Sequence, residues 1–297
     1  MHSSIKRLGA ALLCGGLALS LAACSATPPS TPTASPSAPT TISPPPSSPV
    51  SQTEEPTSTP TLEPVSPAYE FGTPLEETEP VEDDSFFDNT VFLGDSRTEG
   101  LQLFSGLYNG TFYWTRGMTV FRVDDPDYSI FELDGQSYTM IGALRRKQYD
   151  AVYIMMGVNE LGYPASSYEQ GLGKFIDLVL EAQPDAVVYL QTMPPINDAI
   201  ARKNGLASYI NNDQLTLFNE AIVRVAAEKK VVLLNTAEVY RDADGQLIAE
   251  LAGDGCHFTY DGYTPWADYL RCHVMDADRY HFNRAAAEAD ASGEAAE

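Results

Sequence analysis

Residues 90–100 read TVFLGDSRTEG. Val91, Phe92 and Leu93 form a short apolar run, Gly94-Asp95-Ser96 breaks it, and Thr98-Glu99-Gly100-Leu101 can open a helix. A buried strand that stops at Gly-Asp-Ser and turns into a helix sets Ser96 at the carboxyl edge of a sheet. That is the edge at which open α/β sheets bind their ligands. Ser96 has two readings. It is a turn serine that caps the helix, or it is a nucleophile, which requires a base, an orienting acid and oxyanion donors further along the chain.

Outward from this stretch, apolar runs alternate with helical patterns. Thr111–Thr115 (TFYWT) and Thr119–Val123 are β-like, and Asp124–Tyr138 is turn-rich and irregular. Thr139–Gln148 is expected as a helix ending in three cations. Asp150–Met156, Ala186–Leu190 and Val231–Leu234 are near-continuous apolar runs, the mark of central parallel strands. Between them lie a helix capped by Ser167, a loop or short irregular helix over Ile196–Ile210, and a helix capped by Asn212 or Asp213. Asp261–His273 closes the pattern as a helix with Tyr263 and Trp266 inward. Strands alternating with helices give an α/β domain with a parallel sheet and right-handed crossovers.

The flanks differ in composition. Lys6 and Arg7 precede an apolar run that ends in Leu21-Ala22-Ala23-Cys24, which reads as a secretory signal over 1–23. The Leu-Ala-Ala-Cys ending resembles a bacterial lipobox, which implies lipidation of Cys24 and an extracytoplasmic protein held to the membrane by lipid alone; the alternative is ordinary signal cleavage with Cys24 incidental. Residues 24–83 form a Pro/Ser/Thr-rich acidic linker with little to bury, expected to be disordered. Extended, it would reach on the order of 150 Å. The domain then spans 84–275, followed by an acidic tail over 276–297, also expected to be disordered. The net charge of -23 is divided between these flanks and the domain and argues against nucleic acid as a partner. The chain is expected to be a monomer. Of four cysteines, Cys256 and Cys272 lie in the domain. They form a disulfide joining a loop to the closing helix, or they are two small buried residues. No spacing of zinc-site type is present, so no metal or cofactor is implied.

The strand ends carry the chemistry. In a parallel sheet they share one edge, so Gly94-Asp95-Ser96, Gly117 after TFYWT, Gly157-Val158-Asn159 and Asp254-Gly255-Cys256-His257 can converge. Asp254 and His257 are three apart and can face one another. The aspartate would accept from Nδ1–H and leave Nε2 to take a proton from Ser96; otherwise they are a solvated loop pair. Gly117 is a turn glycine, or it lets a backbone N–H approach an oxyanion. Asn159 caps the next segment, or its amide is a second donor beside the Ser96 N–H.

These four blocks, in this order, resemble the SGNH/GDSL hydrolase superfamily from about Thr90 to Leu270. The resemblance implies a three-layer α/β/α sandwich with a central, mostly parallel, flavodoxin-like sheet. It implies Ser96, Asp254 and His257 as catalytic residues and Ser96, Gly117 and Asn159 as the oxyanion hole, with Gly106, Gly110 and Gly135 as lesser alternatives to Gly117. The implied activity is a cofactor-free serine esterase, and an O-acetyl ester of cell-wall or other polysaccharide is the preferred substrate. An acyltransferase using the same residues and a non-catalytic surface-binding protein are the rivals. Two positions depart from the family pattern: Arg97 stands where leucine is expected and Glu160 where aspartate is usual. Both are expected at the mouth of the site, as a substrate-binding pair or as two independent solvated charges.

Overall fold

The computed structural model describes residues 68–292. The signal segment, Cys24 and most of the linker lie outside the described residues. Among the described residues no helix is long and apolar enough to cross a membrane.

Five parallel strands make the central sheet: β1 (Thr90–Gly94), β2 (Thr111–Trp114), β5 (Ala151–Met155), β6 (Val187–Gln191) and β7 (Val232–Leu234), in the order β2-β1-β5-β6-β7. β1, β5, β6 and β7 are buried along their whole length, which is why they read as unbroken apolar runs rather than alternating ones. Two antiparallel strands, β3 (Phe131–Leu133) and β4 (Gln136–Tyr138), form a separate hairpin.

Successive strand residues point to opposite faces, and each face has its own core. On one, Leu93, Val152, Ile154, Val188 and Leu190 meet α2 (Met140–Leu144), α3 (Ala165–Ala182) and α5 (Asn212–Lys229). On the other, Phe92, Tyr153 and Tyr189 meet α1 (Ser96–Phe104), α6 (Thr264–Arg271) and α7 (Ala277–Ser292). An aromatic row crosses four strands on this second face. Phe112, Phe92, Tyr153 and Tyr189 stack with centroid separations of 4.5, 5.3 and 4.2 Å. The three-layer α/β/α sandwich is thus present.

The strand order places the site. The chain runs from β1 outward to β2, then returns to β5 and runs outward the other way. The order therefore reverses between β1 and β5, which pair with Gly94 opposite Met155. That gap is the switch point at which ligands bind in such sheets. Ser96 and Gly157 each lie two residues past its rim.

Four expectations are corrected. Thr119–Val123 is no strand but a run of turns, and the hairpin falls in the segment read as irregular, where Asp134 (φ 51) and Gly135 (φ 75) make its two-residue tip. The domain starts before 84: Leu75 is buried and its N–H donates to Leu233 O at 2.8 Å, covering the outer edge of β7. It also extends past 275. α7 buries Tyr280, and its Asn283 accepts the Tyr69 N–H at 2.7 Å. Of the two readings left open for Cys256 and Cys272, the structure has the one without a disulfide: both are free thiols, Cys256 buried and Cys272 only partly so. An acidic flank with a few well-spaced aromatic anchors thus has enough apolar surface to order itself against an open sheet edge.

Candidate active site

Ser96 is the first residue of α1. Capping falls to Asp95, whose side chain accepts the Arg97 N–H at 2.8 Å. The Ser96 hydroxyl is thereby left for another partner and stands 2.9 Å from His257 Nε2. Across the ring, Nδ1 is 2.9 Å from Asp254 Oδ2. An aspartate accepting from Nδ1–H selects the tautomer whose Nε2 can accept from the serine hydroxyl.

The three-residue spacing works through a turn. Asp254 Oδ1 accepts the N–H groups of Cys256 and His257 at 2.8 and 2.7 Å, leaving Oδ2 for the ring. Burial pushes the Asp254 carboxyl up, but these bonds from His257 and Cys256 outweigh it and hold the group below its ordinary range. Gly255 is required here. It has φ +102, and a Cβ would lie 2.3 Å from the Ala201 nitrogen in the short helix α4 (Asp198–Lys203). The Asn197 N–H, donating to Gly255 O at 2.8 Å, pins the loop from the same side.

The opposite wall comes from β2 and β5. Asn159 lies in a 3-10 turn after β5, and its Nδ2 donates to Met118 O at 2.9 Å and to Asp95 Oδ2 at 3.3 Å. Gly117, at φ +76, is exposed, and a Cβ there would meet open space. Its need for glycine is therefore conformational. Ser96, Gly117, Asn159 and His257 border one cleft of about 470 Å³, within the size range of small-molecule sites.

Arg97 and Glu160 are not at its mouth and do not pair. Arg97 is 1% exposed. Its guanidinium donates to Cys256 O at 2.9 Å and Pro194 O at 3.3 Å, fastening the start of α1 to the loop that carries His257. Glu160 is 0% exposed and accepts the Val120 N–H at 2.6 Å. Burial raises its pKa to about 8, and the neighbouring Asp95 adds to this against the bond from Val120. The reason is geometric. One helical residue on from Ser96 is a turn of about 100°, so a serine facing the cleft puts Arg97 into the interior. Glu160 follows Asn159 around a still tighter turn.

Several residues that sequence reading missed complete the cleft. Glu99 and Leu103 lie three and seven positions after Ser96, on the same helix face, a spacing that could have flagged them. Glu99 forms a two-pronged ion pair with Arg116, Nε–Oε2 2.6 Å and Nη2–Oε1 2.8 Å. Phe104 and Tyr263 make an apolar wall. Among the described residues no cluster of His, Cys, Asp or Glu could hold a metal ion.

The chain is similar to known proteins in family and in fold. The model of a family described as GDSL-like lipase/acylhydrolase matches residues 92–264. Among solved structures, one from Streptococcus pneumonia, named for platelet activating factor, is 20% identical with a TM-score of 0.50, over 62% of this chain and 82% of that one. A GDSL-like lipase from Bacteroides thetaiotaomicron is 15% identical with a TM-score of 0.46, over 65% and 89%. An acetyl xylan esterase, AlAXEase, is 16% identical with a TM-score of 0.45, over 61% and 96%. At such identities the likeness is one of fold. No curated protein matches the sequence.

Proposed function

Because the chain belongs to the GDSL-like lipase/acylhydrolase family of ester hydrolases, we propose that it is a serine esterase that removes small acyl groups, acetyl foremost, from polysaccharide hydroxyls outside the cytoplasm. The observation that carries the reading is the unbroken relay from Asp254 through His257 to Ser96, 2.9 Å at each step, opening on the cleft.

Ser96 Oγ attacks the ester carbonyl as His257 Nε2 takes its proton, and Asp254 stabilises the imidazolium that forms. The oxyanion is met by the N–H groups of Ser96 and Gly117 and by Asn159 Nδ2. The Ser96 amide suits this because first-turn helix N–H groups have no partner within the helix. The longer Asn159 bond, to Asp95, is the one surrendered. His257 then protonates the departing alcohol, and water, activated by the same histidine, releases the acid. The cleft supports a polar alcohol with a short acyl group: the Glu99–Arg116 pair offers hydrogen-bonding edges on one side, and Leu103, Phe104 and Tyr263 offer a small apolar surface on the other. The leader reading supports attachment through lipid on Cys24, with the linker as tether.

The purified full chain is expected to hydrolyse p-nitrophenyl acetate faster than the octanoate ester and to release acetate from acetylated polysaccharide. Ser96→Ala should lower kcat by about 10⁴ or more. Unchanged turnover in that variant would falsify the serine mechanism. Acetyl transfer to added sugars in preference to water would favour the transferase reading. Recovery of Cys24→Ala in the soluble fraction, where the parent sediments with membranes, tests the anchor.

A further inference from the structure

Glu160 is a buried side chain close to the cleft that the reaction leaves unused. Oε1 accepts the Val120 N–H at 2.6 Å, while Oε2 is buried with no hydrogen-bond partner. An isolated buried carboxylate is costly, so the position asks what the group does.

Its connections answer. Gly117 lies on the turns that follow β2 and Asn159 on the turn that follows β5, and no strand pairing joins β2 to β5 directly. Two contacts bridge the turns. Asn159 Nδ2 donates to Met118 O at 2.9 Å, and Val120 N–H donates to Glu160 Oε1. With the covalent steps Met118–Val120 and Asn159–Glu160, these bonds close a small ring. The first bond shares its nitrogen with the N–H that the reaction turns to the oxyanion. The second involves no group that the reaction uses.

We propose that Glu160 is the positioning residue of the oxyanion hole: through the Val120 N–H it clamps the turn carrying Gly117 to the turn carrying Asn159. The role rests on the esterase reading for its catalytic consequence. It also accounts for a neutral carboxyl at this place. A carboxylic acid accepts from Val120 through its carbonyl oxygen without setting a negative charge behind a site where an oxyanion forms. The titratable groups that face it are Asp95, from the β1–α1 turn, and Tyr168, from α3. Asp95 disfavours a further negative charge there, and Glu160 and Asp95 in turn hold the Tyr168 hydroxyl above its ordinary range, behind burial as the larger cause.

Two substitutions of similar volume separate clamp from filler. Glu160→Gln keeps a carbonyl oxygen for Val120, and Glu160→Met keeps the bulk without an acceptor. Glu160→Met should lower kcat for p-nitrophenyl acetate by about 10- to 100-fold, the scale of a misplaced group, with KM within about twofold. Glu160→Gln should restore kcat to within about threefold. Amide hydrogen exchange at Val120 should be slow in the parent and in Glu160→Gln and fast in Glu160→Met. This last readout needs no esterase activity, so it tests the clamp even if the proposed reaction is wrong. If Glu160→Met does not fold, the pH profile decides. Parent kcat should fall as pH rises through about 8, and Glu160→Gln should lack that fall. The inference is overturned by a folded Glu160→Met with kcat within twofold of the parent, by Val120 protection unchanged in it, by Glu160→Gln as impaired as Glu160→Met, or by identical alkaline limbs.

Discussion

On one side of Ser96 the cleft is wet and on the other its supports are sunk in protein. The side chains of Asp254 and His257 keep 40% and 43% of their exposure, whereas Asp95 and Glu160, behind Ser96 and Asn159, keep 1% and 0%. Both sides carry carboxyl groups, yet the pKa shifts run in opposite directions. Asp254 sits below its ordinary range because the hydrogen bonds from its own loop outweigh partial burial. Asp95 and Glu160 sit above theirs because burial dominates, even with N–H donors and, for Asp95, the Arg97 charge nearby. The acid–base side is thus assembled by a local turn and tuned by water. The oxyanion side is assembled by long-range contacts and tuned by exclusion of water.

That contrast predicts where a substitution will be felt. The largest effect should come on the wet side and be confined to rate. Asp254→Asn loses the acceptor that selects the histidine tautomer, so kcat should drop by about 10³–10⁴ with little change in thermal unfolding. A clear loss of Tm would mean that the loop is structural rather than a holder of His257. Next comes Asn159→Ala, at about 10²–10³ in kcat with KM nearly unchanged, the cost of one oxyanion donor. A proportional rise in KM would assign Asn159 to ground-state binding instead.

For Arg97, the buried brace of the histidine loop, the loss should appear in folding. Arg97→Met strands the Cys256 and Pro194 carbonyls and removes the cation beside Asp95. Urea unfolding should show destabilisation of about 2–4 kcal/mol. A variant as stable as the parent would show that the guanidinium is replaceable packing.

The last expected effect is in pH dependence. Glu160 keeps its proton in the folded protein up to about pH 8, while an unfolded glutamate loses it near about 4.3. Between those values the folded state holds more protons, so this group's stabilisation falls as pH rises. Asp254 acts in the opposite sense. Its lowered folded pKa contributes stability above the unfolded value, and that is lost as pH falls through the folded one. Stability should therefore decline from mildly acidic to mildly alkaline pH in the parent and decline less in Glu160→Gln. Equal slopes would mean that Glu160 titrates normally.

The same division explains what could be read in advance. The strand runs were legible because burial on both faces leaves no polar positions in them. The Gly-Asp-Ser and Asp-x-x-His blocks were legible because their geometry is closed within four residues. The Asp134-Gly135 hairpin was overlooked although its turn signal is present, since three-residue strands leave almost no period to count. Arg97 and Glu160 were misread because charge suggests a surface and single positions carry no facing direction. Glu99 was legible in principle, at i+3 from Ser96.

By itself, then, the sequence determined the alternation of strands and helices, the serine at the carboxyl end of the first strand, and a histidine and aspartate spaced to face each other. These follow from local sterics, periodicity and turn chemistry. Only the tertiary structure decided that Arg97 braces the histidine loop from within and that Glu160 joins two turns some forty residues apart (Val120 and Glu160). It also decided that 69–83 and 277–292 belong to the folded unit. Those outcomes depend on which surfaces meet across the sheet, and hence on desolvation and hydrogen-bond closure between segments that share no local pattern.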